Sequence, residues 1–199
     1  MTHAPDNDDK KRTNQAITTL FSTLRQYTEG HTVDEAELLR RRAREYARLP
    51  AETAPDASRT LKVLRFELGS ETYALAVSWV QRVMPMPPVT RVPHTPAYFP
   101  GVVNVRGGVI TVLDVRHLLG LGHTEAAREL IVVSTGTHTF GLAVNRVTDV
   151  LDMPTDDITP LEDVTYARGV WLAAEAWVVV LDGSELFGDA RLIGERNST

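Results

Sequence analysis

From Leu61 onward, short β-branched and apolar runs recur at close intervals: Leu61–Leu68, Thr72–Val77, Val102–Val105, Val109–Val115, Leu130–Ser134, Thr139–Val144 and Trp177–Leu181. Gly, Pro and Asp separate them, a pattern that predicts an all-β fold of many short strands. Ahead of this region the period changes. Ile17, Leu20, Phe21 and Leu24 follow the i, i+3, i+4, i+7 spacing of an amphipathic helix, and Gly30 is placed to end it. Thr32-Val33-Asp34-Glu35 reads as a capping box that starts a second helix. Its acidic residues come first, and Arg40, Arg41, Arg42, Arg44 and Arg48 follow, as the helix dipole favours. Pro50 closes the segment and residues 50–59 read as a linker. The expected organisation is a helical extension and linker over 1–59 and a β domain over 60–193.

The β region contains an internal duplication. An offset of 67 residues lays Gly69 on Gly136, Tyr73 on Phe140, Leu75-Ala76-Val77 on Leu142-Ala143-Val144, Val80 on Val147, and Met86 on Met153. Farther along, an offset of 68 lays Tyr98-x-x-Gly101-Val102 on Tyr166-x-x-Gly169-Val170, Val112-Leu113-Asp114 on Val180-Leu181-Asp182, and Leu118 on Leu186. Two similar units, approximately 61–120 and 128–188, predict two similar barrels. Each is too small to bury a large core alone, so a shared apolar interface is expected. Where the copies disagree, a residue is not required by the fold. Asn104-Val105-Arg106-Gly107 stands opposite Leu172-Ala173-Ala174-Glu175. Arg106 is therefore either a recognition residue, offering a rigid fork of donors, or an arginine that ties down a loop through an internal carboxylate or carbonyl.

Composition narrows the function classes. Among 199 residues, 43% are hydrophobic and 24% charged, ordinary for a globular protein. A net charge of −5 disfavours nucleic-acid binding, and the few aromatics fall on repeat-matched core positions, which weakens the alternative of a small nucleic-acid-binding barrel. With no cysteine, disulfides, thiolate metal sites and cysteine nucleophiles are excluded. The six histidines show no metal-ligand spacing, and no nucleophile elbow, phosphate-binding loop or His-Glu-x-x-His is present. A non-enzymatic protein with no cofactor is expected. The polar, acidic start and the lack of any run of about 20 apolar residues predict a cytoplasmic protein without membrane insertion.

Residues 60–193 resemble the CheW family of chemotaxis adaptors. Thr95-Pro96-Ala97-Tyr98-Phe99-Pro100-Gly101-Val102-Val103-Asn104-Val105-Arg106-Gly107-Gly108-Val109-Ile110-Thr111-Val112-Leu113-Asp114-Val115-Arg116 is similar to the family's signature around an Asn-Leu-Arg-Gly core. Phe66-Glu67-Leu68-Gly69, Tyr73-Ala74-Leu75 and Phe140-Gly141-Leu142-Ala143-Val144-Asn145 resemble its other strands. The resemblance implies two SH3-like five-stranded β-barrels around a common core. It implies a free-standing adaptor in the cytoplasm, recruited to membrane-associated receptor arrays, that docks on the regulatory domain of a CheA-type histidine kinase and on the cytoplasmic tip of a methyl-accepting chemoreceptor. Flagellar, pilus or gliding, and second-messenger pathways all use this architecture. Arg106 matches the arginine of the receptor-contact region. Gly101, Val102, Asn104 and Val144 are further receptor-side candidates; Val80, Arg82, Val83 and Met84 are kinase-side candidates, with ordinary core packing the competing reading for the three apolar ones and a solvated surface charge for Arg82. Four departures from the family pattern stand out: Val105 for Leu, Thr111 for Pro, Asn145 for Asp, and Arg82 where many members carry Glu. The last is a full charge reversal near a contact surface, with consequences for partner choice.

Overall fold

A computed structural model describes residues 60–121, 126–161, 164–173 and 176–189, together with Thr19 and Leu192. The helices expected over 13–49 lie outside the described residues. Over the β region the chain forms β1 (Thr60–Leu68), β2 (Glu71–Ala76), β3 (Val80–Pro85), β4 (Gly101–Val105), β5 (Gly108–Asp114), β6 (Glu129–Ser134), β7 (Thr139–Val144), β8 (Arg146–Pro154), β9 (Thr159–Pro160), β10 (Ala167–Ala173) and β11 (Ala176–Leu181). Two short helices, α1 (Val115–Leu118) and α2 (Gly183–Gly188), follow β5 and β11. The architecture is all-β, as the pattern predicts.

The strands form two sheets, ordered β8-β1-β2-β11-β10-β9 and β3-β6-β7-β5-β4. The duplication is visible in both. Replacing each strand by its counterpart in the other copy turns the order β8-β1-β2-β11-β10 into β3-β6-β7-β5-β4. Register follows the same rule. Tyr73 lies between Phe66 and Val179, and Phe140 lies between Val133 and Thr111, which are the counterparts of Phe66 and Val179. Even an irregularity recurs: pairing slips by a residue between Arg65 and Phe66 against β8, and between Val80 and Arg82 against β3's partner β6.

The copies do not build one sheet each, however. β1 and β2 pair with β8, β10 and β11 of the second copy, while β3, β4 and β5 pair with β6 and β7. The halves 61–120 and 128–188 are thus units of sequence, and each sheet is assembled from both. The exchange rests on two parallel junctions, β2 with β11 and β5 with β7, which need long connections that a hairpin cannot supply.

Alternation along the strands divides the buried residues among three clusters. On β1, Leu64, Phe66 and Leu68 face a common core that also takes Tyr73, Leu75, Leu113, Ile131, Phe140, Leu142, Val179 and Leu181 from both sheets. Val63 on the same strand points the other way, into a smaller cluster with Ala74, Met153, Val178 and Val180. The second sheet has its own counterpart, with Val103, Val112, Leu130, Val132 and Ala143. Each sheet therefore carries a private core on one face and shares a common one on the other. α1 and α2 seal that common core with Leu118, Leu186 and Phe187. Their starts are capped alike: the Asp114 carboxylate accepts from the Arg116 N–H, and the Asp182 carboxylate accepts from the Ser184 and Glu185 N–H groups. Capping by Asp114 is why Val115, expected at the end of a strand, begins a helix instead.

Four strands are absent from the apolar reading: β3, β8, β9 and β10. β3 and β8 are sheet edges, and their sequences, VQRVMP and RVTDVLDMP, interleave charged and polar residues with the apolar ones. Charges on an edge strand blunt its tendency to pair further, and they dilute the hydrophobic signal at the same time.

Candidate docking surface

The most distinctive local feature is the hairpin of β4 and β5. Val105 pairs with Gly108, leaving Arg106 and Gly107 as a two-residue loop. Both have positive φ, 52° and 84°, the pattern of a type I′ turn whose twist matches that of the flanking strands. Glycine adopts this region freely; an arginine does so at a cost of roughly 1–2 kcal/mol. Asn104 compensates in part, because its side-chain carbonyl accepts from the Gly107 N–H at 2.9 Å and braces the loop from inside. Asn104, Arg106, Gly107, Gly108 and Val109 are all exposed, Val109 by 69%. Among the described residues, the Arg106 guanidinium has neither an ion pair nor a hydrogen bond. Asn104, and not Arg106, ties this loop down.

β3 presents Val83 and Pro85 outward, while Val80, Arg82 and Met84 are half-buried. Val80 packs against the common core and Met84 against the private core of its sheet. Arg82 stands across from Val132. The equivalent place in the other sheet is different. There Arg65 stands across from Asp149, the counterpart of Arg82, and clasps it through two parallel hydrogen bonds of 2.8 and 2.7 Å. Charge reversal at position 82, with valine at 132, leaves Arg82 without an ion pair among the described residues.

β3 and β4 lie at opposite edges of their five-stranded sheet, yet they line one surface depression of about 470 Å³. Its walls are Arg82, Val83, Met84, Asn104, Val105 and Arg106. The chain leaving β3 draws the edges together: the Met86 N–H donates to the Arg128 carbonyl, and Thr90 exchanges hydrogen bonds of 2.8 and 2.9 Å with Val102 on β4. Two candidate groups that the sequence separates thus meet in space. Arg82, Val83 and Met84 from one share a depression with Asn104 and Arg106 from the other.

Three receptor-side candidates sit elsewhere. Val144 is 0% exposed and belongs to the common core, so it cannot touch a partner directly. Gly101 is buried too; a Cβ there would collide with the Thr90 carbonyl oxygen, so its task is to let the 89–90 segment cross β4 closely. Val102, half-buried, carries the backbone bridge to Thr90. Val105 completes the depression although it was noted only as a departure from the family pattern. Asn145, another departure, is buried: its carbonyl oxygen accepts from the Gly69 N–H at 2.8 Å and its NH₂ donates to the Ala126 carbonyl at 3.2 Å. An aspartate could not make the second bond.

Among the described residues, no group of three or more His, Asp or Glu is placed to hold a metal ion, and no helix is long and apolar enough to cross a membrane. The surface offers cations and apolar side chains around a concavity, which is chemistry for recognition.

Comparison with known proteins points the same way. The family model described as a CheW-like domain matches residues 62–191. The chain is 32% identical over 128 residues to the chemotaxis protein CheW of Rhizobium meliloti, covering 60% of this chain and 82% of that one. It is 28% identical over 141 residues to the protein PilI of Pseudomonas aeruginosa, covering 67% and 78% respectively. Among solved structures, the scaffolding protein TtCheW of Thermoanaerobacter tengcongensis matches with a TM-score of 0.57 and 25% identity, over 61% of this chain and 88% of that one.

Proposed function

The chain belongs to the CheW-like domain family, and from that premise we propose that it is a non-catalytic adaptor coupling methyl-accepting chemoreceptors to a CheA-type histidine kinase. In this reading each sheet supplies one SH3-like five-stranded barrel, the two-residue β9 being an addition at the edge of the first, with the Met86–Thr90 segment closing the one that holds β3 and β4. The protein works in the cytoplasm at membrane-associated receptor arrays. Arg106 is the central receptor contact, braced by Asn104; Gly101, Val102 and Val144 serve that side only through the backbone crossing and core that hold β4 and β7. Val80, Arg82, Val83 and Met84 form the side that meets the kinase regulatory domain.

One observation carries the assignment: Arg106 is held at a hairpin tip in a strained conformation, exposed and without a partner among the described residues, where the second copy of the repeat has no cation. A fold has no use for such a residue; an interface does. The test is Arg106→Glu, measured by thermal melting beside separate titrations with the receptor tip and the kinase regulatory domain. Stability is expected to move by no more than about 0.5 kcal/mol, as for an exposed site. Kinase binding is expected to persist, and receptor binding to weaken by roughly 2 kcal/mol or more. An unfolded variant, or unimpaired receptor binding, removes Arg106 from the site.

A further inference from the structure

We infer that Arg82 and Arg106 form one anion-accepting site that selects an acidic, apolar-flanked segment of a partner protein. This rests on the adaptor reading above, moves Arg82 from the kinase side to the receptor side beside Arg106, and adds the chemistry of the occupant. Arg82 and Arg106, from opposite sheet edges, line one depression together with Val83, Met84, Asn104 and Val105. Among the described residues, no carboxylate lines it. The absence is specific to this sheet: at the equivalent place in the other, Arg65 and Asp149 neutralise each other across the strands, 2.7 Å apart. Here the carboxylate has become Arg82 and the facing arginine position has become Val132, so no counter-charge is left among the described residues.

Two like charges sharing a concavity raise the local potential and favour an anion between them. A carboxylate fits best, because each guanidinium can grip it through a forked pair of hydrogen bonds. The apolar component decides the class of partner. Val83 is 37% exposed at the depression's edge, and Met84 supplies an adaptable thioether surface. A nucleic-acid backbone gains nothing from these side chains, and the chain's net charge of −5 opposes a polyanion. A protein segment with one or two carboxylates beside a Leu, Ile or Phe satisfies both halves of the site. By the same logic, a partner presenting Lys or Arg here is repelled, so Arg82 acts as a specificity filter.

The experiment titrates the full-length chain, Arg82→Glu, Arg106→Glu and the double variant against the cognate receptor tip and, separately, the cognate kinase regulatory domain. Both single variants are expected to weaken binding of the receptor tip at least tenfold and to leave kinase binding in place. The double variant is expected to lose less than the product of the two, because both arginines hold one segment. Exchanging the partner's acidic residue for Lys is expected to restore binding to Arg82→Glu and not to the wild type. Tighter or unchanged binding by Arg82→Glu, losses that fall on different partners, or losses that multiply in full would overturn the single acidic-segment site while leaving the adaptor reading intact. Wild-type binding to a single-stranded oligonucleotide that the double variant loses would overturn the choice of a protein segment. A wild-type chain that binds neither partner overturns both.

Discussion

The Asn104 side chain accepts a hydrogen bond from the Gly107 N–H at 2.9 Å, spanning the loop that displays Arg106. The bond links two residues three apart and sets the direction in which the guanidinium leaves the surface. Removing it with Asn104→Ala is expected to cost about 1 kcal/mol, the usual net worth of such a bond. It should also weaken receptor binding although Arg106 is still present. Asn104→Asp keeps the acceptor and should recover most of the stability. Thermal melts of both variants, beside receptor titrations, check this; equal losses in the two would show that the bond does not position the loop.

Arg106 adopts a φ of 52°, where glycine is at ease and branched side chains are not. Arg106→Gly is therefore expected to melt at or slightly above the wild-type temperature while receptor binding is lost. Arg106→Val should lose both, with roughly 1 kcal/mol or more of destabilisation. Separating stability from binding at one position in this way distinguishes a presented arginine from a packed one.

Gly101 and Gly169 occupy equivalent places, and a Cβ at either would run into a crossing backbone, at the Thr90 and Thr159 carbonyls respectively. Backbone offers less relief than a side-chain end, so Gly101→Ala and Gly169→Ala are each expected to destabilise by roughly 1–3 kcal/mol. Chemical denaturation measures both. A neutral result at Gly101 alone would indicate that the 89–90 segment is free to move away from β4.

Burial raises the pKa of Tyr73 well above its ordinary value, and the nearby Glu71 carboxylate, which accepts from its hydroxyl at 2.6 Å, raises it further. The folded state thus holds the phenol proton more tightly than the unfolded state does. Its contribution to stability is complete below the unfolded value near pH 10 and declines as pH rises above it, by up to about 1.4 kcal/mol per pH unit. Tyr73→Phe is expected to flatten that alkaline decline in urea melts at pH about 9 and about 11. Phenylalanine fits the position, since Phe140 fills its counterpart. An alkaline slope identical to wild type would place the titration elsewhere.

Much of the fold is legible before any coordinates. Gly69 and Gly136, Tyr73 and Phe140, and Asp114 and Asp182 align because each copy needs the same turn, the same core ring and the same helix cap. The docking site is legible in pieces: Arg106 from the mismatch between copies, and Arg82 from its departure from the pattern of the family the chain resembles. β3 and β8 escape the apolar reading because edge strands carry polar residues, and the burial of Gly101 and Val144 escapes it because small and apolar residues suit a surface rim and a core equally.

Two equivalent β units, and which residue of one answers to which residue of the other, follow from the order of residues alone. Repetition is a local property, carried by side-chain alternation and turn chemistry. That β1 and β2 join the second copy's strands while β3, β4 and β5 join β6 and β7 is visible only in the folded chain. Exchanged and unexchanged pairings present the same alternating faces, so periodicity cannot choose between them; the choice falls to long-range packing around the common core. The same long-range step brings two opposite sheet edges together, and with them Arg82 and Arg106, 24 positions apart in sequence, to one depression.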